Sequence, residues 1–400
     1  MTSVSRQILP TVLPGIMENY GLNSVEAGLI TSFQYVGIFF GCIFFGIYSD
    51  YSGRGYKRSR PWAYTVILAA IAGVAVAYSK SIFMLKSFLV FLGIGTGGAE
   101  PINVAIIGEW WPKEHRGFAV GFHHIGFPIG QFVGPVMIGF VLAVGTWQDA
   151  FIFIPLLAIP LVVAQLYFGS KKYQKKMLEW VDNNNLTRPD VDDLGNENLK
   201  PSFKQTLSDM VLCLKNKNCL YSITVFFIFL YVEVAIMTFL TLQLTSIGLS
   251  LEVAAIISGA SGLTGWIGQI FWGIFSDIFG RKLSLFIIGI GTVVAVFGCL
   301  YISSESTGWL CLILWGLFRN SPYPVTFAVM LDSLPKGAGS ALGIMIGFSW
   351  LVSSLCGPIN GYIIQNFGFT YHYIFLACLT LFALIFISLI KETVKRRKAN

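Results

Sequence analysis

Eleven stretches of this chain are each long and apolar enough to cross a lipid bilayer: 25–49, 61–79, 83–109, 118–144, 150–169, 219–242, 252–276, 283–303, 308–331, 341–364 and 372–390. A helix needs about 20 such residues to span the hydrocarbon. Inside lipid a backbone must satisfy its own N–H and C=O groups, and a helix does so within one segment. Only 12% of the residues are charged, against about a quarter in soluble domains, so too little polar surface exists to cover a water-soluble body. The fold class predicted is all-α integral membrane, with lipid as the main solvent. Glycine recurs inside the runs, which lets helices approach closely. The seven cysteines (42, 213, 219, 299, 311, 356, 378) show no paired spacing. They read as small core residues, with neither a disulfide nor a metal site expected.

Ahead of the first run, residues 1–24 are apolar only from about Ile8 to Met17, half a span. The order of basic end, long apolar stretch and small-residue cleavage site is missing, so this is not a signal peptide. It reads as the second half of a first helix, truncated at its N-terminal end. Met1 is then expected near membrane depth, and the start is expected to be internal to a longer chain.

Basic residues fall on alternate loops. Arg54, Lys57, Arg58 and Arg60 follow the second helix, Lys113 and Arg116 the fourth, and Arg281 and Lys282 the eighth. Lys171, Lys172, Lys175 and Lys176 open a long central segment, Lys336 follows the tenth helix, and Lys391 to Lys398 close the chain. The opposite loops are nearly free of Lys and Arg, with Lys80 and Lys86 as exceptions. The positive-inside rule puts the basic loops and the C-terminus in the cytoplasm of a cell membrane, expected to be a bacterial inner membrane. The net charge of +7 is thereby topology rather than a sign of a nucleic-acid partner. Residues 170–218 are polar and divide the chain into helix bundles at 1–169 and 219–400. Ser202 is a plausible N-cap, and Phe203, Leu207, Met210 and Leu214 share one helical face behind it, which predicts a surface helix in the linker.

One charged phrase occurs twice: "GIYSDYSGR" at Gly46–Arg54 and "GIFSDIFGR" at Gly273–Arg281. Gly46, Asp50, Gly53 and Arg54 recur as Gly273, Asp277, Gly280 and Arg281 at one constant offset. The shared pattern Gly-x-x-x-Asp-x-x-Gly-Arg, in both inner loops, resembles the signature of the major facilitator superfamily, and the resemblance extends over the whole chain. It implies two pseudo-symmetric six-helix bundles related by an axis along the membrane normal, rocking about a central site by alternating access. Physically, an aspartate at the inner end of helix 2 can face the positive N-terminus of a helix in the other half. Asp50 is expected to meet the start of helix 11, Asp277 the start of helix 5, and each arginine to pair with its aspartate. A second echo, "GQFVGPVMIG" with Gly134 and Pro135 against "SLCGPINGY" with Gly357 and Pro358, loosens helices 5 and 11 and reads as gating. Its first copy also resembles a pattern in the superfamily's proton-coupled drug exporters.

Ionisable groups at membrane depth are functional candidates. Thr96, Glu100 and Asn103 share a face of helix 4 by i, i+4, i+7 spacing, and Arg319, Tyr323 and Thr326 have the same spacing in helix 10. Arg319 lies roughly 16 Å into its helix, near mid-membrane; an unpaired arginine there would be costly, so in the empty state Glu100, Glu233 or water is expected near it. Arg6 and Arg319 are the candidate cations of a cavity, and a guanidinium binds carboxylate or phosphate as a fork. Tyr35, Gln131, Gln269 and Asn360 are candidate hydrogen bonders. Glu100, Glu233 and His124 are the candidates for proton coupling. His123 and His124 lie in helix 5, where a neutral histidine bonded between helices is the alternative to a proton relay.

"SRQILPTVLPGI" with "GLNSVEAGLITSF", and "WWPKEHRG" after helix 4, resemble the anion–cation symporter and Spinster-like branches. An Asp-Arg pair is usual in helix 1 of those branches, and Ser5 stands in place of the Asp. Leu89 stands where they often carry an arginine in helix 4. Enzyme chemistry is not indicated: the chain has no phosphate loop, HExxH or cysteine cluster, and no cofactor is expected. The reading is a monomeric secondary transporter, a proton-coupled symporter of a small organic anion such as a carboxylate or sugar acid. The alternatives are a proton-coupled drug or metabolite exporter, a Spinster-like lysolipid transporter, and a non-transporting membrane sensor.

Overall fold

The computed structural model describes residues 2–112, 115–189, 211, 213–333 and 338–394, with the side chains of 116–118, 120–121 and 338–345 outside the description. Among the described residues every regular element is helical. The first span, Thr2–Tyr20, is helical well beyond the predicted Ile8–Met17, with Pro10 and Pro14 inside it. Met1 lies outside the described residues. The next spans are Ser24–Ser52, Ser59–Ala77, Ile82–Trp110 and Arg116–Leu142. The sixth is Trp147–Leu156 continued by Ile159–Phe168, and a surface helix, Lys171–Asn183, follows it. The linker helix predicted after Ser202 falls almost wholly outside the described residues.

The seventh span is Lys217–Ser246, the eighth Leu251–Ser258 with Ala260–Phe279, and the ninth Arg281–Gly298. The tenth breaks into Glu305–Arg319 and Pro322–Ser333. The eleventh is Ala338–Ser353 and runs on from Cys356 to Gly368, where the twelfth begins and continues to Leu389. Among the described residues, nine helical stretches are long and apolar enough to cross a membrane, and the last, Ile346–Leu389, runs through that turn. Gly368 has φ +84°, open to glycine. The Asn360 side chain meets His372 Nδ1 at 2.9 Å, whereas twelve residues of unbroken helix would hold them roughly 18 Å apart. The chain therefore doubles back at Gly368.

The two ends of the molecule are built differently. At the end without basic loops, side chains cap the helices: Asn23 with Glu26, Thr146 with Asp149, and Ser304 with Thr307 form reciprocal capping boxes. At the charged end, Gly53 and Gly280 both take φ +108°, which turns the chain sharply after the second and eighth spans. One apolar core is assembled from residues between Val4 and Ile154, and others from residues between Cys213 and Ile390.

Contacts between the two sets of helices concentrate at the uncharged end. Gly28 and Gly357 pack backbone to backbone, Gly361 packs on Ser24, and Gly139 packs on Glu252 and Ile256. Ser32 Oγ donates to the Ser354 carbonyl. At the charged end, among the described residues, a Cβ on Gly46 would meet only Pro101, at 4.0 Å, and one on Gly273 would meet nothing within 4 Å. Neither glycine makes a close contact among the described residues; the side chains at the starts of the fifth and eleventh spans, the helices expected to meet this end, lie outside the description.

A Gly28→Val substitution should therefore prise the uncharged end apart, because its methyls would overlap the Gly357 carbonyl. Overpacking of this kind costs about 1–3 kcal/mol. The expected outcome is a lower melting temperature and faster maleimide labelling of a cysteine placed at the buried Ser354. Unchanged melting and labelling would reject this contact as the closure point.

Candidate functional site

At the charged end, each repeated phrase is the centre of an ion cluster. In the first, Arg58 Nη1 lies 2.8 Å from Asp50 and donates to Ser49 Oγ at 2.8 Å. The same guanidinium grips Glu109 as a fork, with both bonds at 2.7 Å, a geometry only arginine provides. In the second, Arg281 pairs with Asp277, donates to Ser276 Oγ at 2.7 Å and reaches Asp332 at 3.4 Å. Ser49 recurs as Ser276 at the offset of the repeat, and Glu109 recurs as Asp332 at the offset that carries Thr96 to Arg319. The arginine does not recur in the same way: Arg281 matches Arg54 in sequence, but Arg58 bonds Asp50. The Asp50 and Asp277 side chains are 51% and 63% exposed, as expected of groups facing an opening. The first residues of the eleventh and fifth spans, predicted to meet them, have side chains outside the description.

The tenth span breaks because of "RNSPYP": Pro322 has no N–H to give and disfavours helix at the residue before it. The break sits beside a fully buried polar node. Glu233, from the seventh span, accepts from Arg319 Nε at 2.8 Å, from Gln131 Nε2 at 3.0 Å and from the Tyr323 hydroxyl. Arg319 Nη1 also donates to Ser261 Oγ at 2.7 Å, and its guanidinium lies 4.9 Å over the Trp315 ring. Gln131 comes from the fifth span, and its carbonyl accepts from Asn320 at 2.9 Å. Arg319 and Glu233 are 3% and 5% exposed. Of the groups expected beside Arg319 in the empty state, Glu233 is the one that meets it.

Arg6 is placed differently. It is 8% exposed, donates from Nη2 to the Thr96 carbonyl at 3.0 Å, and leaves Nε without a partner. Its guanidinium lies 4.9 Å over Trp350 and 6.0 Å over Phe127. Tyr35 stacks on Trp350, centroids 5.8 Å apart and planes within 12°. No carboxylate lies within ion-pair distance of Arg6 among the described residues. Glu100 Oε1 meets His123 Nε2 at 3.6 Å, and His124 packs edge-on against His123 at 5.5 Å. These three groups, with Asn103, border a cavity of about 430 Å³.

The remaining candidates scatter. Thr326 is buried and spends its hydroxyl on the Tyr323 carbonyl at 3.0 Å. The single face predicted for Arg319, Tyr323 and Thr326 assumed an unbroken helix. Asn360 bonds Tyr231 and its own helix, both at 2.9 Å, as well as His372, so its amide acts as a strut. Gln269 is half-buried and joins none of these networks among the described residues. Gly134 packs on Val4 and Gln7 of the first span, Pro135 faces Gly259, and Gly357 lies at the uncharged-end closure with Pro358 next to it. Arg58, Ser49, Glu109, Asp332, Asn320, Ser261 and Trp350 were not singled out from sequence. The duplication itself could have exposed Ser49 with Ser276 and Glu109 with Asp332.

The Major Facilitator Superfamily model matches residues 1–265 and 221–400. Over 157 residues the chain is 27% identical to the benzoate transport protein of Acinetobacter baylyi, covering 39% of this chain and 33% of that protein. It is 26% identical over 145 residues to a niacin transporter of the same organism, covering 36% and 32%. A gallate transporter of Pseudomonas putida is 24% identical over 163 residues, covering 39% and 34%. The matched stretch thus spans about a third of each relative. The whole fold superposes on the xylose transporter XylE from E. coli in a partially occluded inward-open conformation, with TM-score 0.71 at 17% identity, covering 98% of this chain and 95% of that one. A bacterial Spinster homologue, inward-facing and unoccupied, gives TM-score 0.69 at 16% identity, covering 97% and 93%.

Removing one partner from the Glu233–Arg319 pair leaves a buried charge, at a cost of about 3–5 kcal/mol. Arg319→Met alone should therefore lower the melting temperature sharply. Combining it with Glu233→Leu should restore most of the loss, because no lone charge remains. A thermal-melt double-mutant cycle measures this, and additive effects of the two substitutions would refute the pairing.

Proposed function

The chain belongs to the Major Facilitator Superfamily, and on that premise we propose that it is a secondary active transporter carrying a small organic anion together with protons. In this reading the bundles at 1–169 and 219–400 rock about the centre, joined by the 170–218 linker. The basic loops and the C-terminus face the cytoplasm, so the conformation described is inward-open.

The observation that carries the proposal is Arg6. A buried guanidinium without a counter-ion is costly, whereas Arg319 is neutralised by Glu233. Arg6 retains an unpartnered Nε and lies against Trp350 and Phe127, so it offers a charge-assisted donor framed by flat apolar rings. An organic acid fits that frame: its carboxylate takes the guanidinium, and its body packs on the aromatic faces. The relatives named for benzoate, niacin and gallate support this class, since each of those molecules is an aromatic carboxylic acid. Arg319 and Tyr323 then act through Glu233 rather than by first contact with the ligand.

Protons enter through Glu100. It shares one cavity with His123 and His124, next to the helix turn whose Thr96 carbonyl receives Arg6. A proton on Glu100 and an anion on Arg6 are therefore neighbours, and each offsets charge that the other would leave in a low-dielectric site. Gating belongs to the two ion clusters at the charged end, which must close as the Gly28–Gly357 contact opens.

Two measurements test the reading. Arg6→Lys keeps the charge but loses the fork, so calorimetric affinity for benzoate or a related acid should fall by about tenfold or more, since charged hydrogen bonds contribute roughly 1.5–3 kcal/mol. Undiminished affinity would remove Arg6 as the anion site. Glu100→Gln mimics the protonated carboxyl. In proteoliposomes it should retain substrate exchange and lose uphill, proton-driven uptake. Accumulation by that variant would place the coupled proton elsewhere.

A further inference from the structure

The helix Lys171–Asn183 has three faces. Gln174, Leu178 and Val181 are buried and recur at i, i+4, i+7, so one face is fixed on the protein. Gln174 Oε1 accepts the Tyr56 amide at 2.9 Å, in the loop between the second and third spans. The same loop gives its Gly55 amide to Glu109 at 2.7 Å. The second face is aromatic. Tyr173 packs at 5.3 Å against both Tyr167 and Phe168, the last residues of the sixth span. Those two rings are 58% and 57% exposed, on the surface that a membrane span turns to lipid, and Trp180 continues the stripe one and a half to two turns further, 48% exposed. The third face carries Lys171, Lys172, Lys175 and Lys176, all exposed, with Glu179 among them paired to Lys175 at 3.9 Å, so Lys171, Lys172 and Lys176 are the lysines not spent on Glu179. Lys172 and Lys176 bend toward the aromatic side, with ammonium groups 5.9 and 5.6 Å from the Tyr173 ring.

We propose that this helix is a docking surface for anionic phospholipid headgroups, with Tyr173 and Trp180 at the level of the glycerol backbone and Lys172 and Lys176 on the phosphate. Tyrosine and tryptophan favour the membrane interface, where the ring is apolar and the polar edge stays wet. Lysine stems lie along apolar surface while the ammonium reaches the headgroups, and a leaflet of anionic lipid attracts such clusters. The stripe is continuous with the lipid-facing end of the sixth span, which favours a bilayer headgroup over a free anion. Because Gln174 fixes the opposite face to the loop carrying Arg58, a bound headgroup would also brace the Asp50–Arg58–Glu109 cluster. None of this depends on what the molecule transports.

The test is fluorescence quenching of Trp180, isolated as the difference between the chain and its Trp180→Phe variant in phosphatidylcholine vesicles. The vesicles contain a small fraction of either brominated phosphatidylglycerol or brominated phosphatidylcholine. The expected result is preferential quenching by the phosphatidylglycerol, reflecting local enrichment on the order of tenfold for two lysines, and its loss in a K172Q/K176Q variant. Equal quenching by both lipids, or none by either, overturns the proposal. So does relief by inorganic phosphate but not by chloride at equal ionic strength, which would assign the lysines to a soluble anion.

Discussion

A charge inside a bilayer must find its counter-charge within the protein, because neither lipid nor water will supply it. That constraint orders the centre of this molecule. Glu233 and Arg319 satisfy it together, with Tyr323, Ser261 and Gln131 occupying the remaining lone pairs and protons. Among the described residues Arg6 meets no carboxylate. Two cations at similar burial thus differ in kind, one paired within the protein and one without a carboxylate partner among the described residues. The Glu233–Arg319 pair also ties elements together. Gln131 brings the fifth span to Glu233 and Asn320, so the node holds helices from both halves of the chain at their middle.

The duplication acts on function more than on residue identity. Both charged-end clusters contain an aspartate, a serine one residue before it, an arginine, and a carboxylate from the span two further on. Yet the arginine that closes the ring comes four residues later in the first copy. Each cluster is also braced from behind by the segment that follows its half. Gln174 accepts the Tyr56 amide in the first half, and Glu392 accepts the Arg281 and Lys282 amides in the second. Partial burial works against ionisation of Glu392, but donated backbone N–H groups outweigh it and hold its carboxyl below the ordinary range. With a depressed folded-state value, this brace is intact at neutral pH and weakens only as acid protonates the carboxylate. Two loops of one shape thus receive one support from unrelated side chains.

The all-helical fold and its spans were legible because lipid imposes a single length and a single backbone solution on every crossing. The charged phrases were legible because they repeat. Geometry within a span was less so. Placing Arg319, Tyr323 and Thr326 on one face used an unbroken helical period, and Pro322 breaks that period between the first two. Read as a helix stop, "NSP" would have separated Thr326 from the site. Glu233 was legible as one possible partner of Arg319, because a buried guanidinium needs a counter-charge and few carboxylates lie at that depth. The partners of Arg6 were not legible, because spacing along one helix does not say which residue of another helix it meets, and Trp350 comes from a span distant in sequence.

The exposure of charge at the basic end follows from the same accounting. The Gly28–Gly357 and Gly139–Ile256 contacts close the uncharged end through backbone and methyl packing, with cross-half hydrogen bonds from Ser32 Oγ to the Ser354 carbonyl and from the Val25 amide to Gln365. The charged end instead keeps Asp50 and Asp277 half or more exposed, so closing it would bury charge. Each aspartate has one arginine beside it, so burying it further needs additional donors, which the free N–H groups of a helix start can supply. Small residues can approach without desolvating anything, whereas carboxylates approach only with partners in place. One end is therefore held together by apolar contact, whereas the other carries charge that can be buried only with partners in place.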